Sequence, residues 1–315
     1  MEEKQGGGAL RDVWITDVTL REYGQNVPAG GVDSFSPGVR VHIARELLDA
    51  GFQSLEILSC VHPGRAPAMS PQALKGVAQG LGRVDGADVI SLVPNQAGYR
   101  RFLSLGLGPD GCGHVMGMFF SAVEAHNLAN LGRGIEETLD EYEGIARDAL
   151  MRGIRLRGYL SAAFGYLPPG GTEIIRPEAR EISGFMDRFL DMGVETVVVS
   201  DLQGVADEEV IRSVLTGLME QRGGRDMERL GFHPHHRIPE RALSNSRVAY
   251  DIGLRRFDAS LAATGGCVTG APGNQPTEAL VRAFEDLGVR TGVDLTALTR
   301  VSEWFSDHVL QAGAT

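Results

Sequence analysis

Eight times along this chain a short run rich in Val, Ile, Leu and Phe gives way to a longer amphipathic stretch. Apolar runs of strand length alternating with helix-period segments specify repeated βα units and a parallel sheet. The pattern predicts strands over 13–20, 54–59, 88–94, 115–121, 155–161, 196–201, 230–236 and 257–262. Helices are expected over 37–50, 71–81, 135–151, 177–192, 208–221 and 240–252, several stopped by a glycine at Gly51, Gly153, Gly193 or Gly253. Eight such units close into a (β/α)8 TIM barrel, for which about 250 residues suffice. An open doubly wound sheet is the competing architecture. No linker-like stretch divides the chain, so residues 12–315 read as one catalytic barrel with C-terminal helices, and 1–11 as a flexible lead-in.

Charge and cysteine usage narrow the partners. The net charge is -11 and no block of Lys and Arg is present, which argues against a nucleic-acid partner. Cys60, Cys112 and Cys267 lack CxxC spacing, so the expectation is a reducing, cytoplasmic compartment. The first ten residues contain no apolar signal core, and no segment reaches membrane-spanning length. The run Gly106-Leu-Gly108-Pro-Asp-Gly111 matches a dinucleotide-binding spacing, but it follows a helix and precedes a strand, the reverse of what that motif requires.

In a TIM barrel the chemistry sits at the C-terminal ends of the strands. The seventh strand ends Gly231-Phe-His233-Pro-His235-His236. Residues two apart on a strand share a face, so His233 and His235 are expected to aim at the barrel mouth as a metal-binding pair, with His236 pointing the other way. The first strand ends Asp17-Val-Thr19-Leu-Arg21-Glu22, where alternation predicts Asp17, Thr19 and Arg21 on one face. Arg21 could hold a carboxylate or a developing enolate, and Glu22 could add an oxygen ligand. Glu56 lies inside the apolar run Leu55-Glu-Ile-Leu, where a carboxylate needs a partner; Arg21 is the natural one. Asp201 ends the sixth strand and reads either as orienting a ligand or water, or as a helix N-cap. After the eighth strand, Thr264-Gly-Gly-Cys267 through Gly273-Asn274 reads as a mobile loop that could carry the Cys267 thiol and the Asn274 carbonyl to the mouth. Cys60 and Cys112 read as apolar fillers.

Together these segments, with Gln25, Val93-Pro-Asn95, Arg157-Gly-Tyr159 and Ser200-Asp201, resemble the DRE-TIM metallolyases, and within them 3-hydroxy-3-methylglutaryl-CoA lyase. The resemblance runs from about Val13 to the segment beginning at Gly292. It implies a divalent cation, Mg2+ or Mn2+, on Glu22, His233, His235 and Asn274. It further implies that Arg21 stabilises an enolate oxygen, that Glu56 supports the site, and that Asp201 and His233 take part in catalysis. Cys267 would be the proton donor. The substrate would be an acyl thioester of coenzyme A or a carrier protein, contacted by Arg21, Gln25, Ser59, Tyr159, Val198, Leu202 and His236, and the enzyme would be a homodimer.

The departures are specific. Glu22 and Tyr23 stand where the family has Asp and Gly, and His236 replaces an Asp. Val198 and Leu202 replace small polar residues of the lyase pocket, which implies a different substrate. Three functions are therefore open: cleavage of a 3-hydroxy-3-substituted acyl thioester, condensation of an acyl thioester with a 2-oxo acid, and a decayed barrel that only binds. The Gly-Gly-Cys267 loop favours cleavage.

Overall fold

The computed structural model describes residues 11–27, 31–266 and 272–311. Eight strands form a closed barrel in sequence order, every neighbouring pair parallel: β1 Trp14–Asp17, β2 Ser54–Ser59, β3 Asp88–Leu92, β4 Val115–Ser121, β5 Leu156–Ser161, β6 Thr196–Asp201, β7 Leu230–Pro234 and β8 Arg256–Ala259. Closure is made by β8 lying beside β1, with Trp14 opposite Arg256 and Asp17 opposite Ala259. The TIM-barrel expectation is met, and the open sheet is excluded.

Helices α1 Thr19–Asn26, α2 Pro37–Asp49, α3 Pro71–Leu81, α4 Gln96–Ser104, α5 Glu124–Leu131, α6 Ile135–Met151, α7 Ala179–Asp191, α8 Glu208–Arg222, α9 Pro239–Ile252, α10 Thr277–Asp286 and α11 Leu295–Phe305 connect or flank the strands. Their starts follow from local chemistry. Ser36 and Ser70 each precede a proline at the first helical position, and each hydroxyl accepts a backbone N–H three residues on. Asp207 does the same for α8, accepting from Val210 N at 3.0 Å. Gly51, Gly153, Gly193 and Gly253 all have positive φ at the ends of their helices, as their positions predicted. No helix among the described residues is long and apolar enough to cross a membrane.

One boundary shifts in a way that matters for the site. Strand β1 ends at Asp17 rather than Leu20, because the Asp17 carboxylate accepts Thr19 N at 3.0 Å and the chain turns at once into α1. Thr19 and Arg21 are therefore helical, and strand alternation does not govern where Arg21 points. The Gly106–Gly111 run forms turns between α4 and β4, consistent with its reading as a loop.

The inside of the barrel is not the usual apolar filling. Leu92, Tyr159 and Val198 form a small apolar group there, with Phe119 packed against it. Around them lie buried Thr16, Glu56, Arg157 and Asp258. Strands β5 and β8 are not neighbours, so the 2.6 Å contact from Arg157 Nη2 to Asp258 Oδ1 crosses the barrel interior.

Candidate metal centre

Helix α1 presents Arg21 and Glu22 one turn before Gln25 and Asn26. The four-residue spacing stacks each pair on one helix face. Arg21 Nη1 donates to Gln25 Oε1 at 3.2 Å, and Asn26 Nδ2 donates to the Glu22 carbonyl at 2.9 Å and to the Gly266 carbonyl at 2.6 Å. Arg21 is the bridge between two buried carboxylates. Its Nε donates to Glu56 Oε2 at 2.6 Å and its Nη1 pairs with Glu22 Oε1. The pairing of Glu56 with Arg21 expected from the sequence is present. Burial is the largest single influence and works against ionisation of Glu22, but the Arg21 guanidinium, the two histidines and the Gly266 N–H together outweigh it and hold the carboxyl below its ordinary range. In Glu56 burial wins, and its carboxyl is raised.

His233 on β7 and His235 just beyond it converge with Glu22. One ligand atom from each of the three lies within 4.8 Å of the others, and all three side chains are buried. The decisive detail is on the far side of each ring. His235 Nδ1 lies 2.8 Å from the Pro272 carbonyl oxygen, which can only accept, so this nitrogen carries the proton. His233 Nδ1 lies 3.1 Å from Asp258 Oδ2, again an acceptor. Both Nε2 atoms are thereby left bare, and they face one another at 2.8 Å. Two lone pairs at that distance repel unless a cation sits against both. Burial lowers the His235 pKa to about 4, which disfavours a second proton on the His235 ring.

Asn274 supplies the fourth group. A bridge between His235 and Asn274 ties the loop to the end of β7. Its Nδ2 donates to the Thr264 carbonyl at 2.9 Å, while its Oδ1 is buried with no partner among the described residues. An orphaned amide oxygen, a carboxylate and two neutral imidazoles are a suitable set for Mg2+ or Mn2+. Gly265, at φ +90°, makes the approach possible: a Cβ there would lie 2.6 Å from Glu22 Cβ and 2.8 Å from Asn274 Nδ2. The residues present fit a divalent cation.

A cavity of about 100 Å³ opens over this cluster, lined on its polar side by Arg21, Glu22, Gln25, Asn26, His233 and Gly266. Leu92, Phe119, Tyr159 and Leu202 make its apolar side, and Asn130, Ser161 and Ser200 complete it. Of the expected substrate contacts, Arg21, Gln25, Tyr159 and Leu202 line the cavity. Ser59, Val198 and His236 are not among the residues that line it. Val198 lies one inward position deeper than Ser200, in the apolar group beneath. Ser59 follows a register shift in β2 and is buried with an unpartnered hydroxyl. His236 caps a turn, its Nδ1 accepting Ile238 N at 2.8 Å.

Asp201 is not a helix N-cap. Its carboxylate accepts Val205 N at 3.0 Å and Ala206 N at 3.1 Å, while Asp207 is the N-cap of α8. It thus holds the loop that carries Leu202 into the cavity wall, and burial pushes its carboxyl up to about 7. Cys267 lies outside the described residues. Two residues given no role from sequence emerge here: Asp258, behind His233, and Arg157, behind Asp258.

Known proteins are similar to this chain in sequence and in fold. The chain is 30% identical over 307 residues to the (R)-citramalyl-CoA lyase of Chloroflexus aurantiacus, covering 94% of this chain and 91% of that protein. It is 28% identical over 298 residues to the hydroxymethylglutaryl-CoA lyase YngG of Bacillus subtilis, covering 93% of both. The solved structure of an HMG-CoA lyase from Acinetobacter baumannii, in complex with coenzyme A and 3-methylmalate, superposes with a TM-score of 0.81 at 25% identity, over 94% of this chain and 91% of that one. The HMGL-like family model matches residues 12–304, from just before β1 to the end of α11. With the barrel, the histidine pair on β7 and this match in agreement, the chain belongs to the HMGL-like family.

Proposed function

We propose that this protein is a metal-dependent carbon–carbon lyase that cleaves a 3-hydroxy-3-substituted acyl thioester into a carbonyl compound and a smaller acyl thioester. The observation that carries the reading is the pair of bare, buried imidazole nitrogens facing each other beside an ionised Glu22. Relatives named as citramalyl-CoA and hydroxymethylglutaryl-CoA lyases support the reaction class, and a relative bound to coenzyme A supports the thioester.

In this mechanism Glu22, His233, His235 and the Asn274 Oδ1 hold the divalent cation, which supplies Lewis acidity and orientation to the substrate oxygens. Arg21 is fixed by Glu56 at Nε and by Gln25 at Nη1, so its guanidinium cannot swing away as charge develops. A base takes the carbinol hydroxyl proton, the alkoxide oxygen becomes the carbonyl as the C–C bond breaks, and the bonding pair passes to the enolate, whose oxygen meets the fixed positive charge of Arg21. Glu56 acts by holding Arg21. The thiol of Cys267, next in the chain after the cavity-lining Gly266, protonates the enolate carbon. The apolar side of the cavity, Leu92, Phe119 and Leu202 with the Tyr159 ring, receives the substituent on the carbinol carbon.

The test is a mass-spectrometric screen of acyl thioesters with added Mg2+ or Mn2+, run on the wild-type protein and on His235→Ala. The expected result is loss of one candidate with release of a smaller thioester, abolished in the variant. Hydroxymethylglutaryl-CoA is expected to be a poor substrate, because Leu202 faces the cavity. Consumption only when a 2-oxo acid is added would establish condensation instead, and equal turnover by the His235→Ala variant would remove the metal centre from the reaction.

A further inference from the structure

We propose that Asp258 is a positioning residue for the metal centre, and that Arg157, reaching across the barrel, determines which way Asp258 can act. The inference rests on the metal-centre part of the reading above and is independent of the substrate.

Asp258 is 1% exposed and both its oxygens are engaged. Oδ1 accepts Arg157 Nη2 at 2.6 Å, and Oδ2 accepts His233 Nδ1 at 3.1 Å. Arg157 is itself held in place: it is buried, and its guanidinium carbon lies 5.3 Å from the Tyr159 ring centroid. The guanidinium has only donors, so the oxygen facing it must accept. The carboxylate has a second acceptor left, and that acceptor fixes the proton of His233 on Nδ1. The consequence is a lone pair on Nε2, facing Glu22 at 3.8 Å and His235 at 2.8 Å. A carboxylate behind a ligating imidazole sets both tautomer and ring orientation.

Replacing Asp258 by Asn changes one oxygen to an NH2 group and leaves the shape intact. Arg157 still demands an acceptor, so the amide oxygen of Asn must turn towards it. The NH2 group then faces His233 Nδ1, which has to accept. The proton moves to Nε2, and the ligand lone pair is lost. Arg157 is thus what makes Asp258→Asn damaging. With Arg157 replaced by Met as well, the amide can rotate, put its oxygen back on Nδ1, and restore the bare Nε2.

The experiment measures two properties in wild type, Asp258→Asn, and the double variant Asp258→Asn/Arg157→Met. One is Mn2+ affinity by calorimetry on metal-free protein. The other is the 15N shifts of the histidine side chains, which report the tautomer without any metal. Wild type should show His233 protonated at Nδ1. Asp258→Asn should show Nε2 protonated and bind Mn2+ about 10–100-fold more weakly. The double variant should recover the wild-type tautomer and most of the affinity, which a merely structural role for either residue cannot produce. A double variant weaker than the single one, or an unchanged tautomer in Asp258→Asn, overturns the proposal. If Asp258→Asn does not fold, the wild-type spectrum still decides: a proton on His233 Nε2 in the metal-free protein refutes it. A wild type that shows the expected tautomer yet binds no Mn2+ would sink the metal-centre reading while leaving Asp258's effect on the ring standing.

Discussion

Gly265→Ala should disable the metal centre while leaving the barrel almost as stable as before. Gly265 has φ +90°, and an added Cβ would lie 2.6 Å from Glu22 Cβ and 2.8 Å from Asn274 Nδ2. A non-glycine residue at left-handed φ carries about 1–2 kcal/mol of strain. Forcing a methyl group into a filled space adds about 1–3 kcal/mol. The molecule has a cheaper escape than unfolding: the loop can draw back from α1, taking Asn274 away from Glu22. The penalty therefore falls on assembly of the ligand set. At about 1.4 kcal/mol per factor of ten, a penalty of about 2–5 kcal/mol corresponds to a loss of roughly 30–4,000-fold in Mn2+ affinity. Calorimetric titration of metal-free protein measures this directly, and the thermal midpoint of the metal-free variant should fall by no more than about 2 °C. An affinity within threefold of wild type would refute the argument that Gly265 is the point of close approach. So would a large drop in melting temperature with affinity retained.

Further outcomes follow from the same structure. Gly144→Ala lies in the exposed middle of α6 with nothing within 4 Å of the added Cβ, so it should raise stability by about 0.5–1 kcal/mol, read as a higher denaturation midpoint. Burial lowers the His114 pKa to about 4, below about 6.5 in the unfolded chain, so the unfolded state takes up a proton that the folded state refuses. Stability is then lost as pH falls from 6.5 towards 4; urea titrations at pH 7.5 and pH 5 should show wild type losing about 2 kcal/mol more than His114→Gln over that interval. Burial pushes the Cys60 thiol up to about 12, so Cys60 should resist iodoacetamide in the native protein at pH 8 and react after denaturation, as peptide mapping would show.

Much of this was readable from residue order. The alternation of apolar runs and amphipathic stretches carried the eight βα units, and the serine–proline and glycine signals carried several helix ends. His-x-His predicted convergence because His233 is the fourth residue of β7 and His235, one residue past its end, is held by a bridge to Asn274. The same period failed at Arg21. One hydrogen bond from Thr19 N to Asp17 converts strand to helix two residues earlier than the apolar pattern implies, and a single side-chain acceptor is invisible to periodicity. The sequence gives no bounds for helices α1, α4, α5, α10 and α11, three of them being only eight or nine residues long. Asp258 was missed although its signal was present. It stands between Phe257 and Ala259 in a strand, the same setting that marked Glu56 as a carboxylate in need of a partner. Its partner was harder to foresee, because the contact joins β5 to β8 across the barrel and no local spacing encodes which strands face each other.

The ionic girdle inside the barrel has a consequence for how this protein can change over generations. Apolar cores drift by single exchanges of similar volume, each tolerated on its own. Here Arg157 with Asp258, and Arg21 with Glu56, are mutually dependent, and stripping one charge strands the other at a loss of about 3–5 kcal/mol. Lineages carrying these pairs should keep or exchange them two at a time. A homologue with an uncharged residue at one of these positions should carry a compensating replacement at the position facing it.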